Sequence, residues 1–125
     1  MIKKRNRELK ETGPSGIENK TKRYAKRHEI HARKFTSPNQ RSVPDDLFVT
    51  KSGFVFFIEF KSPGKKPTHA QEKEINLLLD HNANVFVVDN LKQPGVDLWR
   101  KDFEHNIEIW HDGYALIDHL IMMYD

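Results

Sequence analysis

The sequence predicts an α/β fold in which helices flank a mixed central sheet. Helical and strand patterns follow one another in the order helix, three strands, helix, strand, and a C-terminal extension follows them. Strands that alternate with helices indicate a sheet with helices on its faces. The third strand begins with apolar residues on both faces, which is typical of a central strand covered on both sides.

The composition is that of one small domain. The 125 residues fall within the usual domain size of about 100–150 residues. The absence of cysteine excludes disulfides and thiolate metal sites. No apolar run approaches the roughly 18 residues of a membrane span, and no apolar signal core follows the basic N-terminus. We therefore expect a soluble, cytoplasmic protein.

The charge of the chain is unevenly distributed. The net charge is only +3, but residues 1–35 contain twelve Lys and Arg against four Glu. Residues 95–125 contain two Lys and Arg against seven Asp and Glu. A basic half favours a polyanionic partner, because contacts to phosphates release counterions. A solvated basic surface would have the same composition, so charge alone leaves both interpretations open.

The first helix is predicted from Ser15 to about Arg33. Residues 1–14 are polar and basic, and we expect them to form a mobile or loosely held arm before a single domain of residues 15–125. Ser15 and Glu18 have the form of a capping box, and Glu18 lies on the flank of the apolar stripe, facing the edge of the sheet. That stripe recurs at helical spacing: Ile17, Thr21, Tyr24, His28, His31 and Phe35.

Three strands are predicted next. The first is a short strand from Phe35 to Ser37, and the second runs from Asp45 to Thr50. The third runs from Phe54 to Lys61 after a tight connection. Because side chains alternate along a strand, Glu59 and Lys61 share a face and continue a buried row with charge.

A second helix and a fourth strand complete the predicted core, which covers about residues 15–90. The helix runs from Thr68 to about His81, and Thr68 with Gln71 again resembles a capping box. Gln71 begins a stripe that points toward the sheet. The strand from Asn84 to Asp89 is apolar and rich in β-branched residues.

The C-terminal extension, residues 91–125, has weaker patterns. We expect a short helix from Val96 to Phe103 and an edge strand from Asn106 to Trp110. The last helix, from Tyr114 to Tyr124, is apolar over much of its circumference. Such a surface is either deeply buried or a partner interface.

Asp45, Glu59 and Lys61 are the candidates for a catalytic site. Two carboxylates on adjacent strands can hold a hard cation such as Mg²⁺, and the Phe60 backbone carbonyl and Glu18, directly or through water, could add oxygen ligands. A bound metal activates water and neutralises charge on a phosphoryl oxygen. Lys61 could orient the attacking water and offset negative charge in the transition state. The arrangement suits hydrolysis of a phosphodiester.

Each candidate also has an ordinary structural interpretation. Asp45 could be a turn aspartate after a proline, and Glu59 with Lys61 could be a solvated strand end. Glu18 and Gln71 could do no more than cap their helices. The occurrence of all five in this order on compatible elements favours a site over a coincidence.

This order of residues resembles the PD-(D/E)xK nuclease superfamily and, within it, the virus-type replication-repair nuclease (VRR-Nuc) family. The resemblance covers roughly residues 15–90, and its most specific part is the segment from Ile58 to Gly64 followed by Gln71. It implies a restriction-endonuclease-like α-β-β-β-α-β core, here with a C-terminal helical extension, and Mg²⁺- or Mn²⁺-dependent DNA cleavage. The matching residues are Glu18 on a helix, Pro44-Asp45, a hairpin, Ile58-Glu59-Phe60-Lys61, Pro63-Gly64 and Gln71.

The resemblance also implies a role for each site residue. Asp45 and Glu59 correspond to the family's metal ligands, and Glu18 corresponds to its helix acid. Lys61 corresponds to the catalytic lysine and Gln71 to the supporting glutamine. Stand-alone members are similar to Holliday junction resolvases and are associated with homodimers and branched DNA. Small single-domain forms are often phage-encoded, which would place this protein in the host-cell cytoplasm.

The chain departs from the family pattern at one position. Asp45 is followed by a second acid, Asp46, where the family usually has an apolar residue. Alternation groups Asp45 with Leu47 and Asp46 with Phe48. A register shift of one residue would make Asp46 the metal ligand, but we favour Asp45 because it directly follows Pro44.

Other polar residues are assigned by their position. Two histidines, His28 and His31, have a spacing that could bind a metal, but core or surface positions are favoured. Trp99 and Trp110 are assigned to packing rather than to base stacking. Basic residues are expected to contact phosphates, although those in the loop could simply be solvated: Lys65 and Lys66 beside the site, and Lys20, Arg23, Arg27 and Arg41.

Two other functions remain open at this point. The chain could be a non-catalytic nucleic-acid-binding module on a nuclease fold. It could also be a general nuclease of duplex DNA from the same superfamily. The first is disfavoured, because every expected catalytic group is present in the sequence.

Overall fold

The computed structural model describes residues 10–13, 16–39, 42–91, 97–102 and 106–125. The helices are α1 (Ile17–Arg27), α2 (His69–Asp80) and α3 (Gly113–Tyr124). The strands are β1 (His31–Lys34), β2 (Asp46–Val49), β3 (Val55–Phe60), β4 (Val85–Val88), β5 (Trp99–Asp102) and β6 (Ile107–Trp110). Among the described helices none is both long and apolar enough to cross a membrane.

The six strands form one mixed sheet in the order β1-β2-β3-β4-β6-β5. Strands β1, β2 and β3 are antiparallel neighbours, whereas β3, β4 and β6 run parallel, and β5 closes the edge antiparallel to β6. The central position of β3 and the α-β-β-β-α-β order confirm the predicted fold class. Because the three parallel strands end at one edge, that edge is where a ligand crevice is expected in an open α/β sheet.

Helices cover both faces of the sheet and divide the core in two. Helices α1 and α3 pack on the face that carries Phe56, Ile58 and Phe60 of β3. Helix α2 covers the opposite face, where Ile75 packs on the branched side chains of β4 and β6. The odd and even residues of β3 therefore belong to different layers, as the alternation of a strand covered on both faces requires.

The first helix is shorter than predicted. It ends at Arg27 rather than near Arg33, and Glu29 adopts a left-handed conformation (φ 63°) that stops the helix. Residues 31–34 form β1, because they pair with β2 in a ladder from His31 opposite Val49 to Lys34 opposite Asp46. The strand predicted at residues 35–37 was therefore placed too late. The helical spacing of the apolar residues continues through this segment of the sequence, but the pairing with β2 overrides it.

The C-terminal extension also differs from the prediction. Residues 99–102 form a strand, not a helix, because they pair antiparallel with β6 from Trp99 opposite Trp110 to Asp102 opposite Ile107. The strand predicted at the sheet edge, β6, instead lies between β4 and β5. The extension is therefore a pair of strands followed by α3, and the predicted C-terminal helix is present. Val96 and Phe103, the ends of the predicted helix, lie outside the described residues.

Residues 10–13, which precede α1, form hydrogen bonds with the start of that helix. The Ile17 N–H donates to the Lys10 carbonyl (2.8 Å), and the Glu18 N–H donates to the Glu11 carbonyl (3.0 Å). Gly16 is the N-cap residue, without a side-chain cap, and Ser15 of the predicted capping box lies outside the described residues. Residues 10–13 satisfy amides that a capping side chain would otherwise bind.

Candidate active site

The antiparallel pairing of β2 and β3 brings the start of one strand beside the end of the other. Asp46 lies opposite Ile58, so Asp45 comes next to the last residues of β3. The Phe60 backbone N–H donates to Asp45 Oδ2 (2.7 Å) and fixes this carboxylate. Asp45 is thus held by the sheet at the edge where the parallel strands end, and not only by its turn.

Glu59 lies almost completely buried in the same place. The residue is 1% exposed, and Gln71 Nε2 donates to its Oε2 (2.8 Å). Among the described residues, its other oxygen, Oε1, has no hydrogen-bond partner. Burial and the charge of Asp45 raise the pKa of Glu59 to about 8, although the Lys61 ammonium opposes the rise. A buried carboxylate with an unsatisfied oxygen is costly unless a cation or a proton compensates it.

Lys61 supplies the cationic group of the cluster. Its ammonium lies 3.4 Å from Glu59 Oε2, and its side chain is largely buried. The Lys61 backbone N–H donates to the Val88 carbonyl (2.9 Å), so β4 holds the residue in place after β3 ends. Lys61 and Glu59 lie on one face, as two residues of the same strand at i and i+2 must.

Gln71 performs two structural tasks at once. Thr68 Oγ1 accepts from the Gln71 N–H (3.2 Å), and Gln71 Oε1 accepts from the Thr68 N–H (2.9 Å), which completes a capping box at the start of α2. The side-chain nitrogen of Gln71, Nε2, donates to Glu59. The capping box that the sequence predicts is therefore present, and the same side chain joins α2 to the acidic cluster.

Glu18 and Asp46 form a second acidic pair on the other face of the sheet. Lys34 Nζ donates to Glu18 Oε2 (2.9 Å), and Lys22 Nζ lies 3.0 Å from Asp46 Oδ1. Burial and hydrogen bonding with Glu18 raise the pKa of Asp46 to about 7, although the Lys22 ammonium opposes the rise. Burial also opposes ionisation of Glu18, but hydrogen bonds with Asp46 and Lys34 outweigh it and leave its pKa below the ordinary range. The two carboxyls therefore shift each other's pKa in opposite directions, that of Asp46 upward and that of Glu18 downward.

The two neighbouring aspartates consequently face different layers. Asp46 is fully buried in the row of Phe48, on the side of α1. Asp45 lies on the side of Glu59, and its charge raises the pKa of Glu59. Burial and the charge of Glu18 raise the pKa of Asp45 itself, whereas the Phe60 amide and Lys61 lower it. This arrangement supports Asp45 over Asp46 as the partner of Glu59.

The residues present suit a hard divalent cation. Asp45 and Glu59 provide two carboxylates, and the free Oε1 of Glu59 is an oxygen donor without another partner among the described residues. In the described part of the chain, no group of three Asp, Glu or His side chains forms a metal cage by itself. A cation here would therefore take two carboxylates, the Phe60 carbonyl and water, which matches the way Mg²⁺ binds in proteins.

Glu11 is a site neighbour that the sequence reasoning missed. Its backbone is held by the start of α1, and its carboxyl lies within electrostatic reach of Lys61, Asp45 and Glu18. Burial raises the pKa of Glu11, and the nearby acids add to this. No periodicity or capping signal marks Glu11, because only the bonds between residues 10–13 and the helix bring it to the site.

The predicted phosphate contacts are distributed over two elements. Lys65 and Lys66 are exposed in the loop that joins β3 to α2. Arg23 and Arg27 are exposed on α1, where the Arg27 guanidinium lies 5.7 Å from the centre of the Tyr24 ring. Lys20 is half-buried on the same helix, and Arg41 lies outside the described residues.

The aromatic and histidine assignments depend on packing. Trp99 and Trp110 stack on each other with ring centroids 6.0 Å apart, and Trp110 is buried. His28 and His31 are both exposed, so neither belongs to the helical core stripe that the sequence suggested. His111 pairs with Asp89.

No family model matches the chain, but comparison with known proteins finds similar proteins both in sequence and in structure. Over 59 residues the chain is 42% identical to a protein named "Putative nuclease p44" from Acyrthosiphon pisum secondary endosymbiont phage 1. The aligned part is 47% of this chain and 63% of that protein, so the chain spans less than two thirds of this relative. A solved structure described as a VRR_NUC domain has a TM-score of 0.56 at 23% identity, covering 86% of this chain and 97% of that one.

Proposed function

The chain has the fold of a VRR_NUC domain and is similar over part of its length to a phage protein named as a nuclease, and from this premise we propose that it is a metal-dependent deoxyribonuclease. The fold confirms the resemblance seen in the sequence. The observation that carries the proposal is the buried Glu59, which lies between Gln71 and Lys61, close to Asp45, with one oxygen unpaired among the described residues.

Each side chain has a distinct task in this proposal. Asp45 and Glu59 would hold Mg²⁺ or Mn²⁺ together with the Phe60 carbonyl, and such an ion supplies an activated water and a Lewis acid for the phosphoryl oxygen. Gln71 holds Glu59 in position. Lys61 is directed at the same point, where its ammonium can hydrogen-bond the attacking water and stabilise the charge that develops on the phosphate.

Glu18 acts from the other face of the sheet. Its carboxylate lies in the range of the Asp45 charge, but its direct partners are Lys34 and Asp46. We therefore assign Glu18 to water-mediated contact with the metal and to the network that anchors the start of β2. Direct ligation would require Glu18 to leave the Lys34 ammonium.

The substrate we propose is branched DNA, cut by a homodimer. The last turn of α3 exposes Met122 and Met123 (75% and 56%), which is the kind of apolar surface that a second subunit covers. A two-fold dimer presents identical sites to two strands, as symmetric cutting of a four-way junction requires. The basic side chains of α1 and of the loop before α2 are suited to phosphate contacts.

Cleavage of end-labelled DNA tests this proposal. A four-way junction, a flap and a plain duplex of matched length are incubated with Mg²⁺, with Mn²⁺ and with EDTA. We expect metal-dependent products, with the junction cut at symmetric positions on opposing strands. Equal cutting of all three substrates would indicate a general nuclease. Binding without any metal-dependent product would indicate a non-catalytic binding module.

Matched aspartate variants test which neighbour serves the metal. Asp45→Asn should lower the cleavage rate at least about 10²-fold, because it removes a charged ligand beside Glu59. Asp46→Asn should stay within about tenfold of the wild type, since Asp46 pairs with Lys22 on the α1 side. Both variants keep side-chain shape, and thermal unfolding checks that both are folded. The reverse order of the two losses would assign the metal to Asp46.

A further inference from the structure

A second polar cluster lies at the sheet edge that holds the candidate active site. Lys61, Asp89 and His111 each follow the last residue of a parallel strand: β3, β4 and β6 respectively. The Lys61 N–H donates to the Val88 carbonyl (2.9 Å), and the Asp89 N–H donates to the Trp110 carbonyl (3.1 Å), so the ladder continues up to these residues. By alternation all three side chains belong to the α2 face, the face of Glu59.

Asp89 and His111 form a hydrogen-bonded pair. Asp89 Oδ1 lies 2.8 Å from His111 Nδ1, and their side chains are 6% and 17% exposed. A carboxylate this buried requires a partner, and within the described ranges the imidazole is the side-chain partner it has. The His111 backbone is also fixed, because its N–H donates to the Leu98 carbonyl (2.7 Å). Asp89 therefore orients the ring, and the Leu98 carbonyl fixes the backbone that carries it.

The other ring nitrogen of His111 is available for a ligand. When Nδ1–H donates to Asp89, Nε2 is the atom left, and it has no partner among the residues that the structure describes. An imidazolium donates from both nitrogens, so an anion at Nε2 and the carboxylate at Nδ1 would satisfy it fully. A half-buried, oriented donor of this kind suits a phosphate oxygen better than a free surface histidine does.

We propose that His111, positioned by Asp89, binds a phosphate of the nucleic-acid strand near the one that is cleaved. The inference rests on the proposed nuclease function and extends its site toward β6. Adjacent strands lie about 4.8 Å apart, so His111 is roughly 10 Å from Lys61 across the sheet edge. Phosphates of one strand rise about 3.4 Å along a duplex axis, which puts His111 within a few nucleotides of the phosphate at Lys61. The C-terminal extension thereby contributes a substrate contact to the core site.

Two measurements test the inference: steady-state cleavage with Mg²⁺, and DNA binding in EDTA. Both use the full chain and a junction that the wild type is first shown to cut. His111→Ala should raise both KM and Kd about tenfold, with kcat within about threefold, and should reduce the salt slope of binding by about one. His111→Lys, which restores a cation, should recover most of the affinity. Asp89→Asn should also raise KM, because the His111 ring would no longer be held by a carboxylate. His81→Ala, at the exposed far end of α2, is the matched control and should change nothing.

The outcomes separate this inference from the nuclease proposal. Wild-type cleavage with unchanged KM and salt slope in His111→Ala would overturn the phosphate contact and leave the nuclease function standing. No metal-dependent cleavage by the wild type would overturn the nuclease function itself. If His111→Ala is poorly folded, His111→Lys decides: a folded variant with weak binding shows that the pair only joins the ends of β4 and β6.

Discussion

Lys61→Met is expected to abolish cleavage while leaving the protein folded and able to bind DNA. Methionine keeps the length and apolar stem of lysine but removes the ammonium, which lies 3.4 Å from Glu59. Loss of one group that stabilises transition-state charge lowers kcat by about 10²–10³-fold, and here the same group also orients the attacking water. We therefore expect a loss of at least about 10²-fold in single-turnover rate, with Kd for the junction within a few-fold of the wild type.

Lys65→Met is the control for this experiment. Lys65 lies four residues later in the exposed loop and would contact a phosphate without touching the reacting atoms. It should weaken binding and its salt dependence but leave kcat near the wild-type value. A Lys61 variant that cuts at the wild-type rate, with normal thermal unfolding, would show that the catalytic assignment is wrong.

Glu59→Gln is expected to abolish the proposed nuclease activity and at the same time to stabilise the metal-free protein at alkaline pH. The folded-state pKa of Glu59 is about 8, against an ordinary value of 4.5. Between these values the folded protein holds a proton that the unfolded chain releases, so the free energy of unfolding falls as pH rises. The neutral amide avoids this cost, which is at most about 4 kcal/mol at pH 8.

Thermal unfolding in EDTA and in Mg²⁺, from pH 5 to pH 8.5, measures this effect. The wild type should lose stability in EDTA as pH rises, with part of the loss remaining in Glu59→Gln because the pKa of Asp46 is also raised, to about 7. Mg²⁺ should raise the wild-type Tm most at high pH, since metal ligands must be deprotonated. It should have little effect on Glu59→Gln.

An exposed acid provides the control for the pH experiment. Glu29 forms a solvent-exposed ion pair with Lys51, and exposed pairs contribute little to stability. Glu29→Gln should therefore keep the wild-type dependence on pH and on Mg²⁺. A Glu59→Gln protein that is less stable than the wild type at pH 8 in EDTA, or that still gains Tm with Mg²⁺, would contradict the assignment of Glu59 as a buried metal ligand.

The sequence by itself determined the elements whose patterns are local. The capping box of Thr68 and Gln71 and the alternation in β3 each depend on neighbours within a few residues, and both are present as predicted. The placement of Glu59 and Lys61 on one face follows from the same alternation. The core order of helices and strands was predictable for this reason.

Only the tertiary structure decided features that depend on pairing between distant segments. Helix α1 stops at Arg27 because β1 pairs with β2, and residues 99–102 are a strand because they pair with β6. Such pairing can override a local pattern, since sheet hydrogen bonds join residues far apart in sequence. The position of Glu11 beside the site and the ion pair of Asp89 with His111 have the same origin.

The two adjacent aspartates, Asp45 and Asp46, show what the sequence determines and what only the tertiary structure decides. The sequence predicted that Asp45 and Asp46 face opposite sides, because successive residues of a strand do so. It could not decide which side faces Glu59, because a shift of one residue in strand pairing exchanges the two. The pairing of Asp46 with Ile58, the Phe60 amide on Asp45 and the Lys22 ammonium on Asp46 set the register that the sequence left open.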